Sequence, residues 1–388
     1  MNTASRRTFL KNLGAMCAAN SLTLLATPTQ AAVPAATDWQ TITPEAAGFK
    51  PGLVGRFDKL EASGRLAGVH GVVALRSGRI VFERYFKGDD ASRRGPLGEV
   101  EFGPDTLRDI RSVTKSIVGL LYGIALARGQ VPAVEQSLLA QFPEYPDLAA
   151  DPQRARLTIR DALSMTLGMQ WNEKLPYTDP ANGETAMDAA ADRYRYVLSR
   201  PVVGDPGKGW IYSGGNVALV AKIIEKGTGR NLPDFAREVL FAPLGIGSTE
   251  WAKGADGEVY AASGLRLTPR ELARIGQMVL ADGQWNGKTV VPAGWLHESF
   301  RPAALVDIGY PGLHYGYLWY VGEALQEGKG GSYGERFVAA IGNGGQRLFV
   351  FPGLDFVLCV TSGNYNSPDQ WRAPSAILSE IFLPSLAS

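Results

Sequence analysis

The spacing of apolar positions changes twice along this chain and divides it into three stretches. Val69-His70-Gly71-Val72-Val73-Ala74-Leu75 and Ile80-Val81-Phe82-Glu83-Arg84-Tyr85-Phe86 flank Ser77-Gly78, and two β-rich runs around such a turn predict a hairpin. Residues 88–103 are polar and glycine-rich and read as a surface loop. The spacing then lengthens: Ile117, Leu120, Leu121, Ile124 and Leu126 recur at steps near those of a helix that begins at about Ser112. Further helices are predicted over 159–167, 186–198, 217–226, 232–240 and 269–280, the last stopped by Asp282-Gly283. Toward the carboxyl end the chain returns to short β-rich runs, 315–321, 335–341, 347–351 and 356–361, and closes with a helix over 373–382. Strands at both ends with helices between them predict an α+β fold, with one antiparallel sheet built from both chain ends and flanked by helices. The sheet lobe takes about 45–110 plus 305–388, and a large helical insertion takes about 111–304.

The first 31 residues do not join this pattern. Ser5-Arg6-Arg7-Thr8-Phe9-Leu10-Lys11 leads into an apolar stretch interrupted by Asn20 and ending at Thr29-Gln30-Ala31-Ala32. This is the arrangement of an export signal, and the paired arginines point to the twin-arginine route, with the mature chain starting near Ala32. The apolar run falls short of the ~20 residues that span a bilayer. The expectation is a periplasmic or secreted protein. Losing Arg6, Arg7 and Lys11 and no acid takes the formal charge from +1 to −2 (1 − 3 = −2). A near-neutral chain with mixed charges carries no footprint for nucleic acid or for an anionic membrane surface. Cys359 is then the lone cysteine and cannot form an internal disulfide; its setting, Phe356-Val357-Leu358-Cys359-Val360-Thr361, is that of a small buried hydrophobe.

Several motifs lack the context their chemistry needs. Gly330-Gly331-Ser332-Tyr333-Gly334 matches G-x-S-x-G, but a nucleophile elbow joins a strand to a helix, and here a β-rich run follows. No histidine lies beyond Ser332, so Ser332 reads as a loop residue. Gly283-Gln284-Trp285-Asn286-Gly287-Lys288-Thr289 has one residue too few between its glycines for a phosphate loop and follows a helix, so it reads as a helix-ending turn. His70, His297 and His314 are scattered and the cysteines are not paired, so neither a metal nor a cofactor is indicated.

Arg111-Ser112-Val113-Thr114-Lys115 is different. Ser112 and Lys115 stand three apart at the start of the apolar helix, hence on one face and one turn apart. In the first turn, free backbone N–H groups and the helix dipole favour negative charge. An amine kept neutral by burial can activate a hydroxyl. Capping and surface charge would explain the same two residues, because a chain of this length contains roughly one S-x-x-K by chance. Two further segments supply suitable partners. Gly209-Trp210-Ile211-Tyr212-Ser213-Gly214-Gly215-Asn216 joins two helical stretches and offers a tyrosine for proton exchange, or simply a packed aromatic. Ile341-Gly342-Asn343-Gly344-Gly345-Gln346-Arg347 enters a strand, and its amides can complete an oxyanion hole or form a plain hairpin turn.

In that order, the three segments resemble the serine β-lactamase and penicillin-binding superfamily. The nearest part is its class C-like branch of esterases, D-amino-peptidases and 6-aminohexanoate-dimer hydrolases. Ser112-Val113-Thr114-Lys115 matches S-x-x-K, Tyr212-Ser213-Gly214 the Y-x-N/S position, and Gly342–Gln346 the third, K-T-G-like strand. The likeness covers about Thr43 to the carboxyl end. It implies a β-lactamase/transpeptidase-like fold and a cofactor-free hydrolase acting on small esters or amides. It further implies Ser112 as nucleophile, Lys115 and Tyr212 as the acid–base pair, and the amides of Ser112 and Asn343 around the oxyanion. Tyr177, Asn216, Gly344 and Gln346 stand where the family contacts substrate. Two departures bear on the substrate: Gly214 replaces the asparagine common in β-lactamases, with Asn216 two residues on, and the third motif has no lysine for a β-lactam carboxylate. Both favour amides of the 6-aminohexanoate type over β-lactams. The alternative is a penicillin-binding-like protein, or a D-amino-peptidase or β-lactamase, acting on cell-wall peptides or β-lactams.

Overall fold

Two segments from opposite ends of the chain pair to make the centre of the molecule. The computed structural model describes residues 39–307, 310, 312–328 and 331–386. The predicted signal, residues 1–31, lies outside them. The strands β1 (Val69–Arg76) and β2 (Arg79–Tyr85) form the expected hairpin, followed by a second hairpin, β3 (Lys87–Ser92) and β4 (Gly95–Glu101). Six more strands come after the helices: β5 (Ala304–Leu305), β6 (His314–Tyr315), β7 (Tyr320–Gly328), β8 (Gly331–Gly342), β9 (Gln346–Phe351) and β10 (Phe356–Ser362). They form one antiparallel sheet in the order β5-β6-β7-β8-β9-β10-β1-β2. β10 pairs with β1 in the register Val72↔Val360 and Ala74↔Leu358. Both β1 and β10 are buried almost throughout, which explains why they read as continuous apolar runs and not as alternation.

Helices cover the two faces of the sheet. Phe356 on one face meets Phe49 and Phe382, with ring centroids 5.9 and 5.5 Å away, and Phe82 meets Phe382 at 5.7 Å. This layer includes α1 (Leu53–Ala62) and the carboxyl-terminal helical segment that starts at Arg372. Val357 and Leu348 alternate with Phe356 and Phe349 and so point the other way. They approach Gly276 of the helix Pro269–Leu280, which packs on β9, β10 and β1. That helix has the predicted bounds because its start is fully specified: Thr268 and Glu271 form a capping box and Pro269 occupies the first position.

Other elements depart from the sequence reading. Residues 88–103 are mostly the β3–β4 hairpin, not a loop; its strands are polar and glycine-rich, so no apolar period marks it. The helix expected over 159–167 stops at Leu163, where Met165 takes a positive φ of 61°. The one expected over 186–198 is two helices, Gly183–Ala189 and Arg193–Leu198, the second restarted by Asp192 accepting from the Arg195 amide. Ser332 lies in β8 opposite Glu327, not in a loop; an antiparallel hairpin is still no nucleophile elbow. Residues 284–289 form a two-residue-stranded hairpin after the helix. Cys359 is fully buried in β10, and burial pushes its thiol pKa up. His70 is buried beside Arg108, and burial, aided by that guanidinium, pulls it down to about 4.

Candidate active site

The helix α2 (Val113–Ala127), next in chain order after α1, carries Ser112 at its mouth and Lys115 in its first turn. The residue before Ser112 is bent into the left-handed region, with Arg111 at φ 48°. Its amide donates to Asp109 Oδ1 at 3.2 Å, and its guanidinium lies 4.3 Å from the Tyr365 ring centroid. A non-glycine residue in this conformation is uncommon, and these contacts hold it there. The amide of Ser112 has no hydrogen-bond partner among the described residues.

Lys115 is 1 % exposed. Its Nζ is 3.3 Å from Ser112 Oγ and donates to the Ala262 carbonyl at 3.1 Å. It also lies 4.9 Å from the centre of the Tyr212 ring. The segment around Ala262 is pinned to the base of α2, because the Leu265 amide donates to Thr114 Oγ1 and the Ile110 amide to the Leu265 carbonyl. Tyr212 precedes the helix Gly214–Thr228, capped by Ser213, whose Oγ accepts from the Asn216 amide. Burial and the carboxylate of Glu173 raise the Tyr212 pKa well above that of a free phenol, while the nearby Ser112 hydroxyl works the other way. Ser112, Lys115 and Tyr212, far apart in sequence, therefore meet in one small volume.

The third segment reaches the same place. A Cβ on Gly342 would stand 2.5 Å from the Ile110 carbonyl and 3.2 Å from the Ser112 amide nitrogen. Glycine here lets the end of β8 lie directly against the entry to α2, and Asn343 follows at once. Arg347 ties this turn from behind, its Nη1 donating to the carbonyls of Gly342 at 3.0 Å and Gln346 at 2.8 Å. The Asn343 side chain is occupied by Asn366, in bonds of 2.7 and 2.8 Å, which leaves its backbone as the part available to the site.

Several residues expected at the substrate have other duties. Gln346 is fully buried, and its amide bonds to both the carbonyl and the amide of Ser362, bridging β9 to β10. The Gly344 amide donates to Gln370 Oε1 at 2.6 Å. Asn216 is 4 % exposed and lines a small interior pocket with Leu167, Met169, Trp171 and Val197. In this structure the side-chain amide of Gln346 and the backbone amide of Gly344 are engaged within the fold, and Asn216 faces the interior pocket. Tyr177 does come near the cluster: its hydroxyl donates to Glu173 Oε2 at 3.2 Å.

The sequence reading missed the acids. Glu184, 2 % exposed, places Oε2 3.8 Å from Lys115 Nζ, and Oε1 accepts from Ser263 Oγ at 2.6 Å. It stands in the first turn of the helix Gly183–Ala189, held by Asn182, whose Oδ1 accepts from the Glu184 and Thr185 amides. Arg93 contacts Glu184 at 3.6 Å and Asp188 at 2.6 Å and lies over the Tyr260 ring. Glu173 accepts from Trp171 Nε1 at 2.6 Å and from the Gly214 amide. The two buried glutamates divide the charge. Burial and the Glu184 carboxylate raise the Glu173 pKa, whereas Lys115 and Arg93 overcome burial at Glu184 and lower it. Burial, then Glu184, lift Asp188 to about 7. The one sequence hint was negative: Gly214 has no side chain at the position where the resemblance implies an asparagine.

A family model described as Beta-lactamase matches residues 53–378. The 6-aminohexanoate-dimer hydrolase of Paenarthrobacter ureafaciens is 27 % identical over 303 residues, 72 % of this chain and 72 % of that protein. Among solved structures, EstCE1, described as a hydrolase with promiscuous acyltransferase activity, superposes with a TM-score of 0.65 at 14 % identity, covering 84 % of this chain and 98 % of that one. The octameric penicillin-binding protein homologue from Pyrococcus abyssi gives 0.61 at 17 % identity, covering 84 % and 77 %. At such identities these two establish the shared fold.

Proposed function

Because this chain belongs to the Beta-lactamase family, we propose that it is a serine hydrolase that cleaves small esters or amides through an acyl-enzyme on Ser112. The observation that carries this reading is the buried pair Ser112 Oγ and Lys115 Nζ, 3.3 Å apart, with Tyr212 and an unpartnered Ser112 amide beside it. From the form in which Lys115 has lost its own proton, Ser112 Oγ bonds to the substrate carbonyl carbon while its proton passes to the Lys115 amine. The carbonyl oxygen, now negative, is held by the amides of Ser112 and Asn343. Tyr212 remains a neutral phenol at neutral pH and gives its proton to the departing alcohol or amine as the C–O or C–N bond breaks, and Lys115 reprotonates it. Water then attacks the acyl carbon by the reverse route and frees the acid and Ser112.

The relative from Paenarthrobacter ureafaciens supports a linear amide of the 6-aminohexanoate-dimer type as one substrate. Gly214 and the lysine-free third motif weigh against β-lactams. The test is a fluorophosphonate probe followed by peptide mass spectrometry, with parallel rates on a p-nitrophenyl ester, a 6-aminohexanoate dimer and nitrocefin. Label should fall on Ser112, and Ser112→Ala should lose about 10³-fold or more of the ester rate. Label elsewhere, or an active alanine variant, would overturn the mechanism. A long-lived penicillin adduct with no ester turnover would instead favour the penicillin-binding reading.

A further inference from the structure

A Cβ on Gly214 would lie 2.7 Å from Glu184 Oε2 and 3.1 Å from Glu173 Oε1. The space beside Lys115 that a side chain at 214 would enter is therefore filled by carboxylate. Glu184 Oε2 is buried without a hydrogen-bond partner among the described residues, although it stands 3.8 Å from Lys115 Nζ. A buried carboxylate oxygen left in this state is costly, unless the cation beside it draws nearer during function. Its other oxygen is fixed by Ser263, which adjoins Ala262, whose carbonyl accepts from Lys115. Base, orienting acid and the peptide that contacts both are thus linked in one network.

We propose that Glu184 is the third member of the nucleophile–base relay, a positioning residue that fills the place left by Gly214 and stabilises the ammonium formed when Lys115 takes the Ser112 proton. The inference rests on the acyl-enzyme reading above. It follows the general logic in which a base within reach of the nucleophile is itself oriented by another group. No additional atom is transferred: the proton goes from Ser112 Oγ to Lys115 Nζ, and Glu184 stays ionised throughout. The groups that face Glu184 are Lys115, Arg93 and Arg111 on the cationic side, Glu173 and Asp188 on the acidic side, and the Ser263 hydroxyl.

The test is kcat/KM against pH on a p-nitrophenyl ester for the wild type, Glu184→Gln and Gly214→Ala. The site must lose a proton to act, and removing the negative charge at 184 makes that loss easier. The acidic limb should therefore move to lower pH, by about 1–3 units, while the plateau falls about 10- to 100-fold. Relief of repulsion on Glu173 and Asp188 moves the limb the same way. Gly214→Ala, an ordinary residue for a first helical turn, pushes the carboxylate aside with its Cβ and should act in the same direction. It serves as the second probe should Glu184→Gln fail to fold. A lowered plateau with an unmoved limb in the folded variants means a purely structural ion pair and overturns the proposal. Ester turnover near the wild-type rate in Ser112→Ala would instead overturn the reading it rests on, so the two failures are distinct.

Discussion

Replacing Lys115 with methionine keeps most of the side-chain volume but leaves Glu184 without one of its two close cations. The two charges are 3.8 Å apart and 1 % and 2 % exposed. At an effective dielectric of about 20 this separation corresponds to about 4 kcal/mol of attraction. Arg93 remains 3.6 Å from the same carboxylate, but Asp188 holds it more closely at 2.6 Å, so it makes up only part of the loss. Breaking one side of a buried pair generally costs about 3–5 kcal/mol; with Arg93 retained, about 2–4 kcal/mol is expected. Unfolding entropy of ~2.1 cal/mol/K per residue gives about 0.7 kcal/mol/K for a chain of this size, hence a Tm lower by about 3–6 °C. Scanning calorimetry on Lys115→Met, Glu184→Gln and the double variant checks this as a cycle. Lys115→Met should be the least stable, and adding Glu184→Gln should recover part of the loss, because no uncompensated carboxylate remains. If Lys115→Met is as stable as the wild type, or if the second substitution adds a full further loss, the two charges are not coupled and the account of the site's electrostatics is wrong.

Two other outcomes are expected beside those given for Ser112, Glu184 and Gly214. Gly342→Ala should lower kcat on an ester by about 10²–10³-fold and lower Tm as well, because its Cβ would meet the Ile110 carbonyl and the Ser112 amide at 2.5 and 3.2 Å; an unaffected kcat would remove the end of β8 from the oxyanion site. Changing both Arg6→Lys and Arg7→Lys should leave the protein in the cytoplasm on cell fractionation, and continued appearance outside it would contradict the twin-arginine reading of the first 31 residues.

What could be read in the sequence was what short stretches settle by themselves. Ser112 and Lys115 were legible because a helix brings positions three apart together wherever it lies. The helix Pro269–Leu280 was legible to the residue because Thr268, Pro269 and Glu271 announce its start. The β3–β4 hairpin was not, because its strands are rich in polar and glycine residues and carry no apolar alternation. Glu184 was invisible for another reason: on its own helix it is an unremarkable first-turn acid, and only the folding of residues 93, 115, 214 and 263 around it makes it part of the site. The structural bonds of Gln346 were equally hidden, since its place in a motif suggested substrate and gave no sign that its amide bonds to Ser362.

The pairing of β1 with β10 has a consequence for the chain's synthesis. Val69 has Ser362 as its partner, so the β1–β2 hairpin leaves the ribosome roughly 290 residues before the strand that completes it, a wait of about 15–60 s at ordinary elongation rates. Throughout that time an apolar strand edge stands open to any neighbouring nascent chain. A chain truncated anywhere before β10 lacks the middle of its sheet, and with it the surface on which the Gly342 turn rests. The active fold is therefore an attribute of the whole polypeptide, and the early hairpin has to stay unpaired with other chains until β10 is made.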